Sequence, residues 1–598
     1  MHVLFRFARA LLPVAVLALL GANEPALAQR SAVEPHGAGC ASDDTGLKLP
    51  AGFCASIFAD NLGHTRHMVV SAEGVLYVNT WSGRYYPNSP PPPGGFIVAL
   101  QDRSGSGKAD ILQRFGGTEQ SGDHGGTGIG IYHGALYVET NDQIVRYRLR
   151  PGAVVPEAAA EVIVSGLPLG GDHPMHPLAI DADGNLYVDV ASATNACQRE
   201  NRQPLSPGIS PCLELETRGG IWRFDANRTQ QQFSPEQRFA SGIRNADGIA
   251  IDDTGRGLFA TQHGRDQLSQ NWPKLYTLEQ GAILPAEELL HVMRGGDYGW
   301  PECYYDAVQR RLVLAPEYGG DGGHEAGVCA QKRPPIAAFQ AHWAPNDLLL
   351  YYGRQFPAAY RGGAFIAFHG SWNRAPFAQG GYNVVYQPLM HGVASGRCVI
   401  FADGFADAEK DPGRAPHRPS GLAVAPDGSL YVSDDVRGRI YRISYVGGGA
   451  GSEESPGIAP CPDASTPPGP AEASRAEPPE GTHANAGATA NLPVPRGSTR
   501  AQLELGDRIY HGQIGSASCI GCHGVDGRGT PLGPNLTSRK YLWGDGSYAS
   551  IRQVIEQGVP QPKQYRSPMP PLGGAQLTSE QVAAVSAYVW ALSHARAR

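Results

Sequence analysis

Past residue 28 the chain has no apolar run approaching the roughly 20 residues a bilayer-spanning helix needs, so no membrane span is expected. Charge of one sign is also scarce. A formal charge of −7 over 598 residues gives no reason to expect a nucleic-acid partner. No Gly-x-Gly-x-x-Gly opens a helix after a strand, which sets aside a nicotinamide or flavin site of that kind. Methionine is rare, with six in all, and Met569 is the only one in the last hundred residues. What is present starts with Arg6 and Arg9, an apolar run over 10–22 and Ala26-Leu27-Ala28, the order of a secretory signal peptide over 1–28. The mature chain is therefore expected to be soluble and exported, with a short extension over 29–46.

Ten cysteines fit export into an oxidising compartment. Neighbours in sequence suggest Cys40 with Cys54, Cys197 with Cys212, Cys303 with Cys329, and Cys398 with Cys461. Eight cysteines allow about 105 connectivities, so only loop length stands behind these pairings. The remaining two lie in Cys519-Ile520-Gly521-Cys522-His523. Two thiols three positions apart followed by an imidazole is the spacing for covalent attachment of a c-type haem, with His523 as one axial ligand of the iron. A zinc site would need a second pair, which is missing. Met569, between Pro568 and Pro570, is the candidate sixth ligand; the alternative is a methionine that fills a core gap. Gly533-Pro534-Asn535-Leu536 could bring a carbonyl to the other nitrogen of His523. A helix is expected around 503–510, and another over 578–592 capped by Thr578 or Ser579, with Val582, Val585, Val589 and Leu592 on one face. Residues 501–598 thus resemble a class I cytochrome c domain. Haem attachment together with a signal peptide points to a bacterial periplasm.

Upstream, a weak repeat recurs. SAEGVLYV at 71–78, HGALYV at 133–138, DADGNLYV at 181–188, DDTG before LFA at 252–260, YRGG before AFI at 360–366 and APDGSLYV at 425–432 each read as a tight turn entering a β-branched and aromatic strand. Six copies over 47–446 predict a six-bladed β-propeller, with a β-sandwich as the other possibility. Residues 447–500, rich in Pro, Gly, Ala, Ser and Glu, read as a tether. The fold class is therefore an all-β six-bladed propeller followed by a small all-α cytochrome c domain, with reaction at the propeller and electron exit at the haem.

The propeller motifs are LPAGF at 49–53, Asp172-His173, GIRNADG at 242–248, HGRDQL at 263–268, GGDYGWP at 295–301, HGSWNR at 369–374 and RPSG at 418–421. In this order they resemble the soluble sugar dehydrogenases that depend on pyrroloquinoline quinone (PQQ), and most of all the L-sorbosone dehydrogenase-like branch. The resemblance implies that His173 is the general base, with His176 as the alternative, and that Asp172 orients its imidazole. It implies Arg244 and Asn245 beside the quinone oxygens and Arg66, Arg374 and Arg418 as candidate clamps for the PQQ carboxylates. It further implies Ca²⁺ on the backbone carbonyls of Gly264 and Arg265, with Asp266 as a further ligand or a turn closer. Ala191-Ser192-Ala193-Thr194-Asn195 stands where the glucose branch has a Gly-Asp-Gln-Gly turn, which weakens the case for glucose. The insert over 81–95 and the segment 287–293 are expected as loops on the propeller faces. The expected function is oxidation of an aldose or sugar-derived aldehyde, with a downstream periplasmic acceptor. A calcium-dependent lactonase-like propeller, or one that only docks a partner, are the alternatives.

Overall fold

The computed structural model describes residues 45–595 except 82–90, 256, 375–376, 408–409, 411–414, 448–456, 470–488, 512–513, 515–518, 525–526, 530–532, 566–568 and 576. The expected signal peptide and Cys40 lie outside the described residues.

Six sheets of four or five strands, antiparallel except for one short parallel pair, follow one another along the chain. Their innermost strands are Thr65–Val70, Ile129–Tyr132, Leu178–Ile180, Ile249–Ile251, Pro345–Leu350 and Pro419–Val424. Each is followed by a partner beginning at Leu76, Ala135, Asn185, Leu258, Ala364 or Leu430. The six repeated turns of the sequence are thus the turns between first and second strands, one per blade of a six-bladed propeller. The second strands are buried along their length because blades cover both of their faces.

The ring is closed by Phe53–Ala59, which pairs with Arg439–Tyr445 as the outer strand of the sixth blade. Phe53, from the LPAGF motif, anchors it among Phe356, Phe401 and Tyr360, with ring centroids 4.8, 5.1 and 5.4 Å away.

Two expectations change here. Residues 287–292 form not a surface loop but Glu287–Val292, a strand of the fourth blade paired with Leu258–Gln262. Its Leu289, Leu290 and Val292 are core residues, and Glu287 and Glu288 are buried with them. The stretch read as a tether is held at both described ends. Ala459–Pro460 adds a strand to the fifth blade, Cys461 is bonded to Cys398, and Leu492 is buried in the helical core. Composition hid the strand and the buried leucine, because neither needs an apolar run. Cys197–Cys212, Cys303–Cys329 and Cys398–Cys461 form as expected, whereas the pairing of Cys40 with Cys54 lies outside the described residues. Part of the 81–95 insert is also outside them.

The C-terminal region contains the helices Arg500–Tyr510, Cys519–His523, Tyr548–Gln557 and Ser579–His594. Thr499 and Thr578 cap the first and last through capping boxes with Gln502 and Gln581. The first helix starts three residues earlier than its apolar pattern suggests because Thr499 supplies the cap. These two helices cross at Gly506, where a Cβ would lie 2.0 Å from the Ala584 carbonyl.

Candidate active site and haem site

The chemistry-bearing residues gather where the inner strands begin. His173 lies five residues before Leu178–Ile180, Arg244 five before Ile249–Ile251, and Arg418 immediately before Pro419–Val424. Short loops between blades deliver them to one end of the propeller.

At His173 the ring Nδ1 lies 2.9 Å from the Ser192 carbonyl and 3.0 Å from Ser192 Oγ. The hydroxyl donates to the Thr194 carbonyl at 2.8 Å, so Nδ1 carries the proton and donates to Ser192. Nε2 then keeps its lone pair and has no hydrogen-bond partner among the described residues. Burial and then the Arg244 charge hold the His173 pKa well below the usual imidazole value. His176 is different: Nδ1 lies 3.2 Å from Glu139 Oε1 and Nε2 3.1 Å from the Pro168 carbonyl, so both nitrogens are engaged in a structural contact. Of the two candidates for the base, the geometry favours His173.

Asp172 does not orient the imidazole. It accepts from Arg202 Nε at 2.8 Å and from Asn201 Nδ2 at 3.2 Å. Ser192 has the orienting role.

Arg244 is fixed by four acceptors: the Asn195 carbonyl at 3.1 Å, Asn195 Oδ1 at 3.0 Å, the Gly264 carbonyl at 3.0 Å and Asp266 Oδ2 at 3.0 Å. Asp266 is the hub. It also accepts from Arg202 Nη2 at 3.1 Å and from Asn373 Nδ2 at 2.7 Å. Burial alone would raise its pKa, but Arg244 and Arg202 hold it far below the carboxylate range. Glu287 accepts from the amides of Gly264 at 2.8 Å and Ala344 at 3.1 Å; burial pushes its pKa up to about 8, so it is protonated at neutral pH. Ser192 and Asn195 sat in a segment notable only as a departure from a motif. Arg202 and Glu287 had no motif at all, and only the flanking Cys197 and Cys212 hinted at a braced loop.

The three proposed clamps separate. Arg66 donates to Asp435 Oδ2 at 3.0 Å, and Arg418 donates to the carbonyls of His369 and Gly370 at 3.0 and 2.9 Å. Both are committed within the protein. Arg374 is 3% exposed, donates to Gln340 Oε1 at 2.9 Å and has no ion-pair partner among the described residues. Its Nε is buried without a partner, as is Asn245 Oδ1. A buried guanidinium lacking a counter-ion, one residue from the Asn373 that touches Asp266, fits a polycarboxylate such as PQQ. Of the two backbone carbonyls expected to hold calcium, that of Gly264 fits less well, because it accepts from Arg244 Nη1 at 3.0 Å and a guanidinium charge stands where the ion would approach.

The haem expectations converge on one cavity lined by Cys519, Cys522, His523 and Met569 among mainly apolar side chains. His523 Nδ1 lies 3.0 Å from the Pro534 carbonyl, which fixes the tautomer and leaves Nε2 for iron. Met569 exchanges both backbone hydrogen bonds with Val559, at 2.8 and 3.0 Å. Gly558, at φ +67°, permits this approach, since a Cβ there would lie 2.5 Å from the Met569 carbonyl. Neither Cys519 nor Cys522 forms a disulfide with another described residue, as thioether attachment requires. The donor set fits a c-type haem with His and Met axial ligands.

Residues 47–446 match the TrAA12-like family pattern, about two thirds of the chain. The chain belongs to the TrAA12-like family. Residues 504–593 of this TrAA12-like protein match cytochrome c. A PQQ-dependent pyranose dehydrogenase of Coprinopsis cinerea is 28% identical over 174 residues, 25% of this chain and 23% of that protein. An uncharacterised protein of Borreliella burgdorferi is 26% identical over 212 residues, 35% of this chain and 49% of the other. The chain thus spans about half or less of the curated relatives it matches. The fold is that of the Trichoderma reesei AA12 structure solved with iodide, at a TM-score of 0.53 and 19% identity, covering 67% of this chain and 97% of that one. The family assignment agrees with the resemblance drawn from the propeller motifs.

Proposed function

We propose that this TrAA12-like protein is a periplasmic quinohaemoprotein dehydrogenase that oxidises an aldose or a sugar-derived, sorbosone-like aldehyde. The observation that carries the reading is His173, its Nδ1 proton given to the Ser192 carbonyl and its Nε2 open, in one network with Arg244. When bound, PQQ supplies a two-electron hydride acceptor and the haem a one-electron exit, so each hydroxyl oxidised to a carbonyl uses the exit twice, toward an external one-electron acceptor.

The protein's own groups have definite tasks. His173 Nε2 takes the substrate hydroxyl proton, and the Ser192 carbonyl holds the Nδ1–H as positive charge builds on the ring. Arg244 cannot swing, because four acceptors hold it, and so presents a preorganised charge where negative charge develops. Arg374 gives an anionic cofactor a buried partner. No step depends on calcium.

The test is to titrate the purified haem-loaded protein with PQQ, add a panel of aldoses and sugar aldehydes, and follow haem reduction by absorbance. Reduction that requires PQQ, and that falls by about 10²–10⁴ in His173→Ala while the oxidised haem spectrum is unchanged, is the expected result. A haem that no sugar reduces, with or without PQQ, would sink the reading and turn attention to lactone hydrolysis or docking.

A further inference from the structure

A second, smaller cavity lies between the domains. Arg202, Gln267 and Trp372 wall it from the propeller, and Cys522, His523 and Met569 from the cytochrome region. Trp372 also packs against the hydrophobic core of the helical region. On this side Gln267 Nε2 lies 3.1 Å from where a Cβ on Gly574 would stand, so the two chain segments meet closely. The side of the haem site lined by Cys522, His523 and Met569 is thus set against the propeller end that carries His173 and Arg244.

Arg202 belongs to both sides. Its guanidinium donates to Asp172 at 2.8 Å, to Asp266 at 3.1 Å and to Gln267 Oε1 at 3.2 Å, and it is 7% exposed. Asp266 in turn holds Arg244 at 3.0 Å. The backbone at Arg202 is set by its amide bond to Gln198 Oε1 and by a loop cross-linked through Cys197 and Cys212. Two carboxylates and two guanidinium groups balance in this cluster, so loss of Arg202 leaves uncompensated negative charge beside the haem cavity.

We propose that Arg202 is a positioning residue shared by two redox sites. Through Asp266 it fixes Arg244 at the propeller site, and through its charge in the cavity wall it makes the haem easier to reduce, while Gln267 and Trp372 seat the haem-bearing face. The proposal rests on the quinohaemoprotein reading for its purpose, but its electrostatic core does not need PQQ. A fixed positive charge favours the ferrous state, which carries one positive charge fewer than the ferric, and low-dielectric walls prolong its reach.

The experiment is a spectroelectrochemical titration of the haem in the full chain without PQQ. At a fixed poise, Arg202→Gln should lower the ferrous-to-ferric ratio by threefold or more, on the order expected for one partly buried charge, and Arg202→Lys should restore most of it. Gln267→Glu and Gln267→Lys, one charge of either sign in the same wall, should shift the ratio down and up. These two also carry the test if Arg202→Gln fails to fold. A wild-type ratio in Arg202→Gln, or no opposed shift in the Gln267 pair, would overturn the proposal. A wild-type protein whose haem no sugar reduces would defeat the dehydrogenase reading and leave these shifts standing.

Discussion

His173 and Ser192 show how much depends on one backbone carbonyl. Because that carbonyl is part of the main chain, Ser192→Ala should keep the imidazole tautomer and lose less than about tenfold in PQQ-dependent turnover, against about 10²–10⁴ for His173→Ala. Initial rates of haem reduction would separate the two. With the His173 pKa held well below its usual value, the acid limb of activity should fall below the ordinary histidine range. Glu287 makes the opposite prediction. Its folded pKa, raised to about 8, means that it stabilises the fold fully below its unfolded value and loses that contribution as pH rises through 8. Glu287→Gln should therefore flatten the fall in melting temperature between about pH 5 and 8, measured against the wild type at about pH 4, where the carboxyl is protonated in both the folded and the unfolded chain. An unchanged slope across that window would show that the carboxyl is not the group responsible. His173 was legible as a candidate because Asp172-His173 stood in a recognisable order. Its orienting partner was not, since the resemblance implied Asp172, and only the folded chain brought Arg202 to that carboxylate and Ser192 to the imidazole.

At the scale of elements, the crossing of Arg500–Tyr510 over Ser579–His594 is set by the missing side chain of Gly506. Glycine in a helix interior ordinarily costs about 1 kcal/mol relative to alanine. Here the sign reverses, because the added methyl would meet the Ala584 carbonyl. Gly506→Ala should destabilise the helical domain by about 1–3 kcal/mol, measured as loss of the folded haem spectrum in denaturant with the propeller transition unmoved. The last helix was readable from its cap and apolar face. The start of the first was not, since a cap at Thr499 matters only once the chain before it has turned.

The whole molecule hangs on ring closure. Phe53 joins the N-terminal strand to the sixth blade through an aromatic cluster, and Phe53→Ala should cost about 3–5 kcal/mol. In a chemical denaturation followed by tryptophan fluorescence, the propeller transition should move to lower denaturant while the haem transition stays in place. A shift of both together would mean that the domains unfold as one unit.

Local order in the sequence determined the six blades, the candidate haem ligands and the two candidates for the base, because turn chemistry, Cys-x-x-Cys-His spacing and motif order are properties of short stretches. Tertiary structure decided the rest. Asp266 as hub, Arg202 as bridge, Glu287 as a buried acid and the seating of the haem face on the propeller all join residues far apart in the chain, and long-range burial, charge pairing and packing are not encoded in any short window.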